Sequence, residues 1–245
     1  MNHILKPLAI LFSFGFAVPF NCLAQTEQHV DPWQGFNRAM FSFNDTLDRW
    51  AVKPLAKTYK FVMPDPLEMG VTNIFNNIRE VPNTINGVLQ GDFKGAAHDT
   101  GRLLVNTTLG IGGLLDVARY MNLPADDLED FGQTLAVWGL GQGPYLVLPL
   151  LGPSTLRDGF GKPVDWYTTP VAYIDHVPTS NTVLALSLVD TRANLLALEG
   201  NISGDRYTFI RDVYLQRREF LIKNGEVADE FGTEDFSNEE FEGEF

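Results

Sequence analysis

The chain has 245 residues, of which 44% are hydrophobic and 20% charged, the balance of a folded protein and not of a disordered chain. Its formal net charge of −13, from 31 acidic and 18 basic residues, excludes the basic surface that nucleic-acid binding needs and gives no attraction to an anionic membrane surface. The single cysteine, Cys22, excludes an internal disulfide and every cysteine-based zinc site.

The first 24 residues have the layout of a secretory signal peptide. Lys6 precedes an uncharged apolar run over residues 7–20, and the segment ends in the small residue Ala24. An N-terminal membrane anchor is the alternative, but Gly15 and Pro19 interrupt the run, which is shorter than the roughly 20 residues that span a bilayer. We therefore expect an exported protein with a signal peptide at residues 1–24.

The end of this leader contains two alternative processing sites. Ala24 suits cleavage after residue 24, whereas Cys22 is a candidate site of lipid attachment. The lipidation signal is weak, because Asn21 stands where a small residue is expected before a lipidated cysteine.

Helix signals recur along the rest of the chain, and no stretch alternates between polar and apolar residues for long, so we predict an all-α fold. Asp31 supplies an N-cap for a first helix, with Pro32 at its first position. Asp65 caps a second helix in the same way, and Pro82 should end it. Further helices are expected after Pro54 and Pro82, from Asp92 toward Asn106, from Thr179 to Glu199 and from Asp205 to Lys223.

The chain divides into a helical body, residues 30–223, and an acidic tail, residues 224–245. From Glu226 to Phe245 there are nine acidic residues and no basic one. A block of like charge with no apolar core predicts disorder, and the four phenylalanines spaced through it make a docking segment the alternative.

Two stretches of the body carry no charged side chain. Residues 131–156 are mostly apolar or glycine, and their glycines and prolines forbid one regular helix, which favours a bent hairpin. Residues 103–115 have the same glycine-rich apolar character. Either the body is seated in one membrane leaflet or around an apolar cavity, or these stretches form the buried core of a soluble protein.

The patterns of common enzymes and metal sites are missing. His29, His98 and His176 do not lie three or four residues apart, so no helix presents a pair of metal ligands. The segment from Gly152 to Leu156 lacks the second glycine of a nucleophile elbow, and no hydroxyl residue follows Lys162 as a phosphate loop requires. We predict no enzyme activity and no cofactor.

Four segments together resemble the VacJ/MlaA family, the outer-membrane lipoproteins of the bacterial system that maintains lipid asymmetry. They are DPWQGFNRAMFSFN (31–44), NTTLGIGGLLDVA (106–118), EDFGQTLAVWGLGQGPYLVLPLLGPSTLRD (129–158) and DRYTFIRDVYLQRREF (205–220). The resemblance covers about residues 30–223, with the segments in the family's order.

The resemblance implies a single ring-shaped helical domain, embedded in one leaflet of the outer membrane at its periplasmic face, with a central amphipathic channel. Phospholipids that have strayed into the outer leaflet would leave through this channel, and a periplasmic lipid-carrier protein would receive them. A trimeric porin of the outer membrane and, through the carrier, an inner-membrane transporter are the further implied partners. A non-catalytic scaffold lipoprotein of the envelope and an exported helical enzyme are the alternatives.

The resemblance also assigns residues. The glycine-rich hairpin beside the family's channel corresponds to Gly139, Gly141, Gly143, Pro144 and Tyr145. The family's N-terminal motif corresponds to Asp31, Pro32, Gly35, Phe36, Asn37 and Arg38, with Phe43 and Asn44 expected near the channel rim. Of these, the hairpin glycines and Arg38 are the strongest functional candidates, because capping and packing explain most of the others.

Overall fold

The computed structural model describes residues 31–201 and 204–225. The predicted signal peptide, Cys22 and the acidic segment from residue 226 lie outside these residues. The described helices are α1 (Gln34–Leu47), α2 (Lys53–Val62), α3 (Asp65–Gln90), α4 (Phe93–Thr108), α5 (Phe131–Val137), α6 (Leu156–Thr168), α7 (Val177–Leu195) and α8 (Arg206–Ile222). A π-helical turn (Asp48–Val52) joins α1 to α2, and 3₁₀ turns occupy Ala118–Met121, Pro170–Tyr173 and Leu196–Asn201.

The predicted all-α class is confirmed. In the described residues the sheet consists of two short antiparallel strands, β1 (Tyr145–Leu148) and β2 (Gly152–Thr155). Tyr145 pairs with Thr155 and Leu148 with Gly152, while Leu150 adopts a φ of 64° in the turn between them. The bent hairpin expected in the uncharged segment is present, but as β-structure after the short helix α5, because four residues are too few for alternation to reveal a strand.

The first helix begins later than its proline predicts. Pro32 and Trp33 form a turn, and α1 starts at Gln34, so Asp31 is not its N-cap. The Asp31 carboxylate instead accepts hydrogen bonds from the Asn37 side chain, at 2.7 Å, and from the Tyr207 hydroxyl. A tertiary role for this carboxylate thus replaces the predicted local one.

The second predicted helix does not end at Pro82. Helix α3 continues through Pro82 to Gln90 and ends at Gly91, whose φ of 84° is the left-handed conformation of a helix terminus. Pro82 removes one helical hydrogen bond, but α4 packs along the same stretch, and the Asn83 side chain donates to Asp99 at 2.7 Å. Tertiary contacts therefore outweigh the local preference, and no separate helix follows Pro82.

The other predicted boundaries agree with the structure to within a few residues. Asp92 caps α4 by accepting from the Gly95 amide, and Pro54 lies in the first turn of α2. Asp205 caps α8, and α7 covers most of the segment expected from Thr179.

A small apolar core lies where α1, the hairpin and α8 meet. Tyr145 and Val147 of β1 and Tyr207 of α8 are buried there. Tyr145 and Tyr207 meet edge to face with ring centroids 6.3 Å apart. This core fixes the hairpin between the first and last described helices.

Across residues 31–201 and 204–225, no helix combines the length and the apolar character that crossing a membrane requires.

Candidate functional site

The distribution of side chains is the reverse of that in a water-soluble domain. Among the described residues, seventeen buried side chains are polar or charged and only nine are hydrophobic, whereas soluble proteins bury mainly apolar side chains. Large apolar side chains lie at the surface instead: Phe61 is 90% exposed and Trp50 is 83% exposed. A surface of this kind marks contact with a membrane or with another protein.

This exposed apolar surface draws on three parts of the chain. It comprises Trp50, Leu55, Phe61 and Val62 around α2, Leu109, Ile111 and Leu115 after α4, and Leu150 and Leu151 at the hairpin turn. The last two groups belong to the uncharged stretches, for which a leaflet and a buried core were the alternatives. The core alternative fits Tyr145 and Val147, but it does not fit the exposed turn.

The N-terminal motif contacts the hairpin through two asparagines one heptad apart on α1. Asn37 is fully buried; its Nδ2 donates to the Tyr145 carbonyl at 3.0 Å, and its Oδ1 accepts from the Val147 amide at 2.9 Å. Asn44 repeats the arrangement, donating to the Leu148 carbonyl at 2.9 Å and accepting from the Leu150 amide at 2.8 Å. The two side chains thus satisfy the backbone edge of β1 as a neighbouring strand would.

Asp31 and Arg38 connect the same motif to α8. Arg38 pairs with Asp205, the N-cap of α8, at 2.6 Å, and its guanidinium lies 4.4 Å from the centroid of the Tyr207 ring. Burial, followed by the hydrogen bond to Asp31, raises the pKa of Tyr207, so this hydroxyl stays protonated and remains a donor. The structure brings Asp31, Arg38 and α8 together as a positioning unit.

The remaining motif residues do not join this unit. Phe36 is 50% exposed and Phe43 is 48% exposed. Pro32 is exposed in the turn before α1, and a Cβ built at Gly35 would meet nothing within 4 Å. The motif therefore has one face that binds the hairpin and another that is open to the surroundings.

The three hairpin glycines are not equivalent. Gly139 and Gly143 have φ values of 91° and 68°, in the left-handed region, whereas Gly141 does not. A Cβ at Gly143 would lie 3.0 Å from the Leu156 Cβ, but one at Gly141 would meet nothing within 4 Å. Pro144, the next residue, accepts the Leu156 amide at its carbonyl and so joins the loop to the start of α6.

A buried charge cluster that the sequence analysis missed lies behind the hairpin. Arg218 donates to Asp130 and to Asp158, the latter at 2.9 Å, and the Tyr214 hydroxyl donates to Asp158 at 2.7 Å. Burial would raise the pKa of Asp158, but the Arg218 charge and the Tyr214 hydrogen bond outweigh it and hold that pKa below its usual value. Tyr207, Tyr214 and Arg218 recur at helical spacing on α8, the signal that could have revealed this face.

A second buried network joins α3 to α4. Arg102 pairs with Glu80 at 2.8 Å and donates to the Leu123 carbonyl at 2.5 Å. The Asn106 side chain donates to Asp116 at 3.0 Å and accepts from the Ala118 amide. These polar groups satisfy one another, which is what allows an interior this polar to be stable.

A cavity of about 260 Å³ lies between α3, α6 and α7. Its wall is largely apolar, with the two cations Arg79 and Lys162 and the carboxylate of Asp165; the lining residues are Phe75, Ile78, Arg79, Lys162, Asp165, Trp166, Thr169, Val171, Val183, Leu184 and Ser187. Burial raises the pKa of Asp165 to about 6, although its Oδ1 accepts from the Phe131 amide at 2.8 Å. The sequence analysis considered Lys162 only as part of a phosphate loop, which it rejected, and did not predict this cavity.

In the part of the chain that the structure describes, no group of histidine, cysteine, aspartate and glutamate side chains is arranged to hold a metal ion.

Comparison with known proteins gives a consistent family. The family model described as "MlaA lipoprotein" matches residues 29–221. The intermembrane phospholipid transport system lipoprotein MlaA of Escherichia coli (strain K12) is 38% identical over 203 residues, which is 80% of each chain. The protein of the same name from Haemophilus influenzae is 31% identical over 214 residues, 85% of this chain and 86% of that one.

A solved structure has the same fold. It comes from work on the structural basis for maintenance of bacterial outer membrane lipid asymmetry and is 35% identical in sequence. The match has a TM-score of 0.69 and covers 78% of this chain and 98% of the other.

Proposed function

The chain belongs to the MlaA lipoprotein family, and from this membership we propose that it is the outer-membrane component of an intermembrane phospholipid transport system. In this role it removes phospholipids that have strayed into the outer leaflet of the outer membrane. It passes them to a periplasmic carrier protein and so maintains lipid asymmetry, the subject of the related solved structure.

The reversed distribution of polarity is the observation that carries this proposal. The exposed apolar surface, with Phe61 and Trp50 almost fully open, suits contact with the acyl chains of one leaflet. The interior is polar by contrast, and its asparagines, arginines and carboxylates bond to other groups of the protein. The ring with a central amphipathic channel that the family resemblance implies would use this apolar surface to sit at the periplasmic face of the membrane.

Such a path moves lipid without chemistry. A phospholipid headgroup that enters hydrocarbon loses its hydration, at a cost of several kcal/mol, and a wall of polar groups lowers that barrier. Direction then comes from the carrier that takes the lipid away. The buried ionisable groups described above pair with one another, so we assign them to the stability of the fold and not to catalysis.

Partners and anchoring extend the proposal. A trimeric porin would hold the protein in the outer membrane, and the exposed apolar surface would seat it in the leaflet. Cys22 would add a lipid anchor if it is processed as a lipoprotein, whereas cleavage after Ala24 would leave anchoring to the surface alone. Mass spectrometry of the mature N-terminus distinguishes these two forms.

Two experiments test this function. The first compares outer-leaflet phospholipid in a clean deletion strain and in its parent, and the second compares phospholipid transfer between vesicles with and without the purified protein. We expect phospholipid to accumulate in the outer leaflet of the deletion strain, and the purified protein to speed phospholipid transfer between vesicles. Unchanged outer-leaflet phospholipid together with tight porin binding would favour the scaffold alternative. Hydrolysed lipid products would instead indicate an enzyme.

A further inference from the structure

Two cations in the cavity between α3, α6 and α7, an arginine and a lysine, make no ion pair with a described residue. Within the described residues, nine of the eleven arginines pair with a carboxylate, and Arg79 is one of the two exceptions. Its guanidinium donates only to neutral oxygens, Thr191 Oγ1 at 3.2 Å and Asn76 Oδ1 at 3.5 Å. Lys162, also half-buried, makes no ion pair with a described residue.

The other groups on the wall indicate what these cations could hold. Phe75, Ile78, Trp166, Val171 and Leu184 make most of the wall apolar, and Thr169 and Ser187 add hydroxyl groups. An anion with an apolar end matches this combination of cations, hydroxyls and hydrocarbon. Arginine binds phosphate oxygens in pairs, and lysine adds a point charge.

The negative charge of Asp165 would repel an anion in this cavity, but its carboxylate already accepts hydrogen bonds from other groups. Its Oδ1 accepts from the Phe131 amide at 2.8 Å and from the Asn86 side chain at 3.4 Å, which ties it to the start of α5. Because one carboxylate faces two cations, the balance of charge in the cavity remains positive. Replacing Asp165 by asparagine would increase that balance.

We propose that this cavity binds the phosphate group of a phospholipid, with Arg79 and Lys162 as its ligands from α3 and α6. The assignment rests on the proposed function, to which it adds a binding site. A volume of about 260 Å³ is below the roughly 300–1,000 Å³ of pockets that enclose a whole small-molecule ligand. The cavity therefore takes the headgroup and glycerol, and the acyl chains lie outside it, where Leu188 continues the apolar face of α7 one turn beyond Leu184.

The test measures binding of phosphatidylethanolamine in detergent micelles to the purified wild-type protein and to single variants. Arg79→Gln and Lys162→Gln should each weaken binding roughly tenfold, the scale of one charge-assisted hydrogen bond. Asp165→Asn should strengthen it. Arg119 and Lys94 also make no ion pair with a described residue, but they do not line the cavity. The control variants Arg119→Gln and Lys94→Gln should therefore bind the phospholipid as tightly as the wild type does.

Two further probes identify the ligand. Diacylglycerol, which has the same chains without phosphate, should bind weakly and equally to all variants. Inorganic phosphate should compete only at high concentration. If inorganic phosphate binds tightly and the phospholipid does not, the site serves free phosphate and the lipid assignment is overturned.

The outcomes separate this inference from the proposed function. Equal phospholipid affinity in the wild type, Arg79→Gln and Lys162→Gln overturns the site, even when the wild type still transfers lipid between vesicles. A wild type that transfers no phospholipid overturns the proposed function instead. Thermal melting of each variant checks folding, and Lys162→Gln keeps the test decisive if Arg79→Gln does not fold, because Lys162 makes no hydrogen bond to a described residue that the change would remove.

Discussion

The side-chain amide of Asn37 lies against the backbone of Tyr145, donating to its carbonyl at 3.0 Å across 108 residues of sequence. The same amide accepts from the Val147 amide, so one fully buried side chain joins the N-terminal motif to the first strand of the hairpin. These two segments were separate candidates in the sequence. In the structure they form one unit, with α8 packed on it.

Asn37→Leu should therefore destabilise the protein strongly. The change leaves the Tyr145 carbonyl and the Val147 amide buried without partners, at about 1–3 kcal/mol for each group. Asn44→Leu should be milder, because the Leu148 carbonyl and the exposed Leu150 amide can turn to water. Thermal unfolding of both variants in detergent gives the comparison, and equal losses would contradict the role of burial.

The fold was largely predictable because its helices carry local signals. Asp92 and Asp205 cap helices as their sequence predicts, and the last helix is followed by Asn224 and Gly225, which both have a positive φ. The helix end predicted at Pro82 is wrong because packing against α4 outweighs the loss of one helical hydrogen bond. The β-hairpin was described only as bent, since strands of four residues carry too little alternation to be recognised.

The buried charge on α8 gives a second prediction with an internal control. Arg218 and Arg217 are neighbours, but the Arg218 side chain is 6% exposed and pairs with two aspartates, whereas Arg217 is 52% exposed and pairs with Asp127. Arg218→Leu should cost about 3 kcal/mol of stability, the lower end for breaking a buried ion pair, because the buried Asp158 loses one of its two arginine partners and keeps Arg157 at 3.2 Å. Arg217→Leu should cost at most about 1 kcal/mol.

Chemical denaturation of the two variants measures this difference. Comparable stability of the two variants would mean that water reaches the Asp158 carboxylate as easily as it reaches that of Asp127. In that case the interior behind the hairpin would not be closed to solvent.

The site was less predictable than the fold, because its residues come from distant parts of the chain. Asn37 and Asn44 show a seven-residue spacing in the sequence, but nothing local says that their partners are backbone groups beyond residue 144. Arg79 and Lys162 face one cavity only because α3 and α6 pack together. Single-sequence patterns report which face of a helix is polar, not what that face meets.

Asp165 gives a pH prediction. Burial raises its pKa to about 6 in the folded protein, against about 3.9 in an unfolded chain, so between these values the folded state binds more protons. Its contribution to stability therefore falls as the pH rises through about 6. Asp165→Asn keeps an oxygen that can accept from the Phe131 amide and lacks the charge, so it should be more stable than the wild type at pH 7.5.

The measurement is the difference between the two melting temperatures at several pH values. This difference should shrink as the pH falls from 7.5 toward 4. Using the difference cancels the shared contributions of other buried acids, such as Glu80 and Glu129, whose pKa values burial also raises. Parallel curves would show that Asp165 is ionised as readily in the folded as in the unfolded protein.

The hairpin glycines give the last prediction, because the structure separates two residues that the sequence treats alike. Gly143 has a φ of 68°, and its Cβ would approach the Leu156 Cβ to 3.0 Å, so Gly143→Ala combines backbone strain with crowding. We expect a loss of about 1–2 kcal/mol or more and a lower abundance in the cell. Gly141 has neither constraint, so Gly141→Ala should fold as well as the wild type or slightly better.

Lipid transport in the two variants then distinguishes shape from movement. If the loop between α5 and β1 must only hold its shape, Gly141→Ala should keep the wild-type level of outer-leaflet phospholipid, and Gly143→Ala should impair transport only as far as it lowers abundance. If the loop must move during transport, Gly141→Ala should slow lipid flux at normal abundance and normal porin binding, because alanine restricts the backbone that glycine leaves free. Measuring protein level, porin co-purification and outer-leaflet phospholipid in both strains separates the two accounts. Wild-type behaviour of both variants would mean that neither the conformation of Gly143 nor the freedom of Gly141 is needed, and the hairpin would lose its place in the path of the lipid.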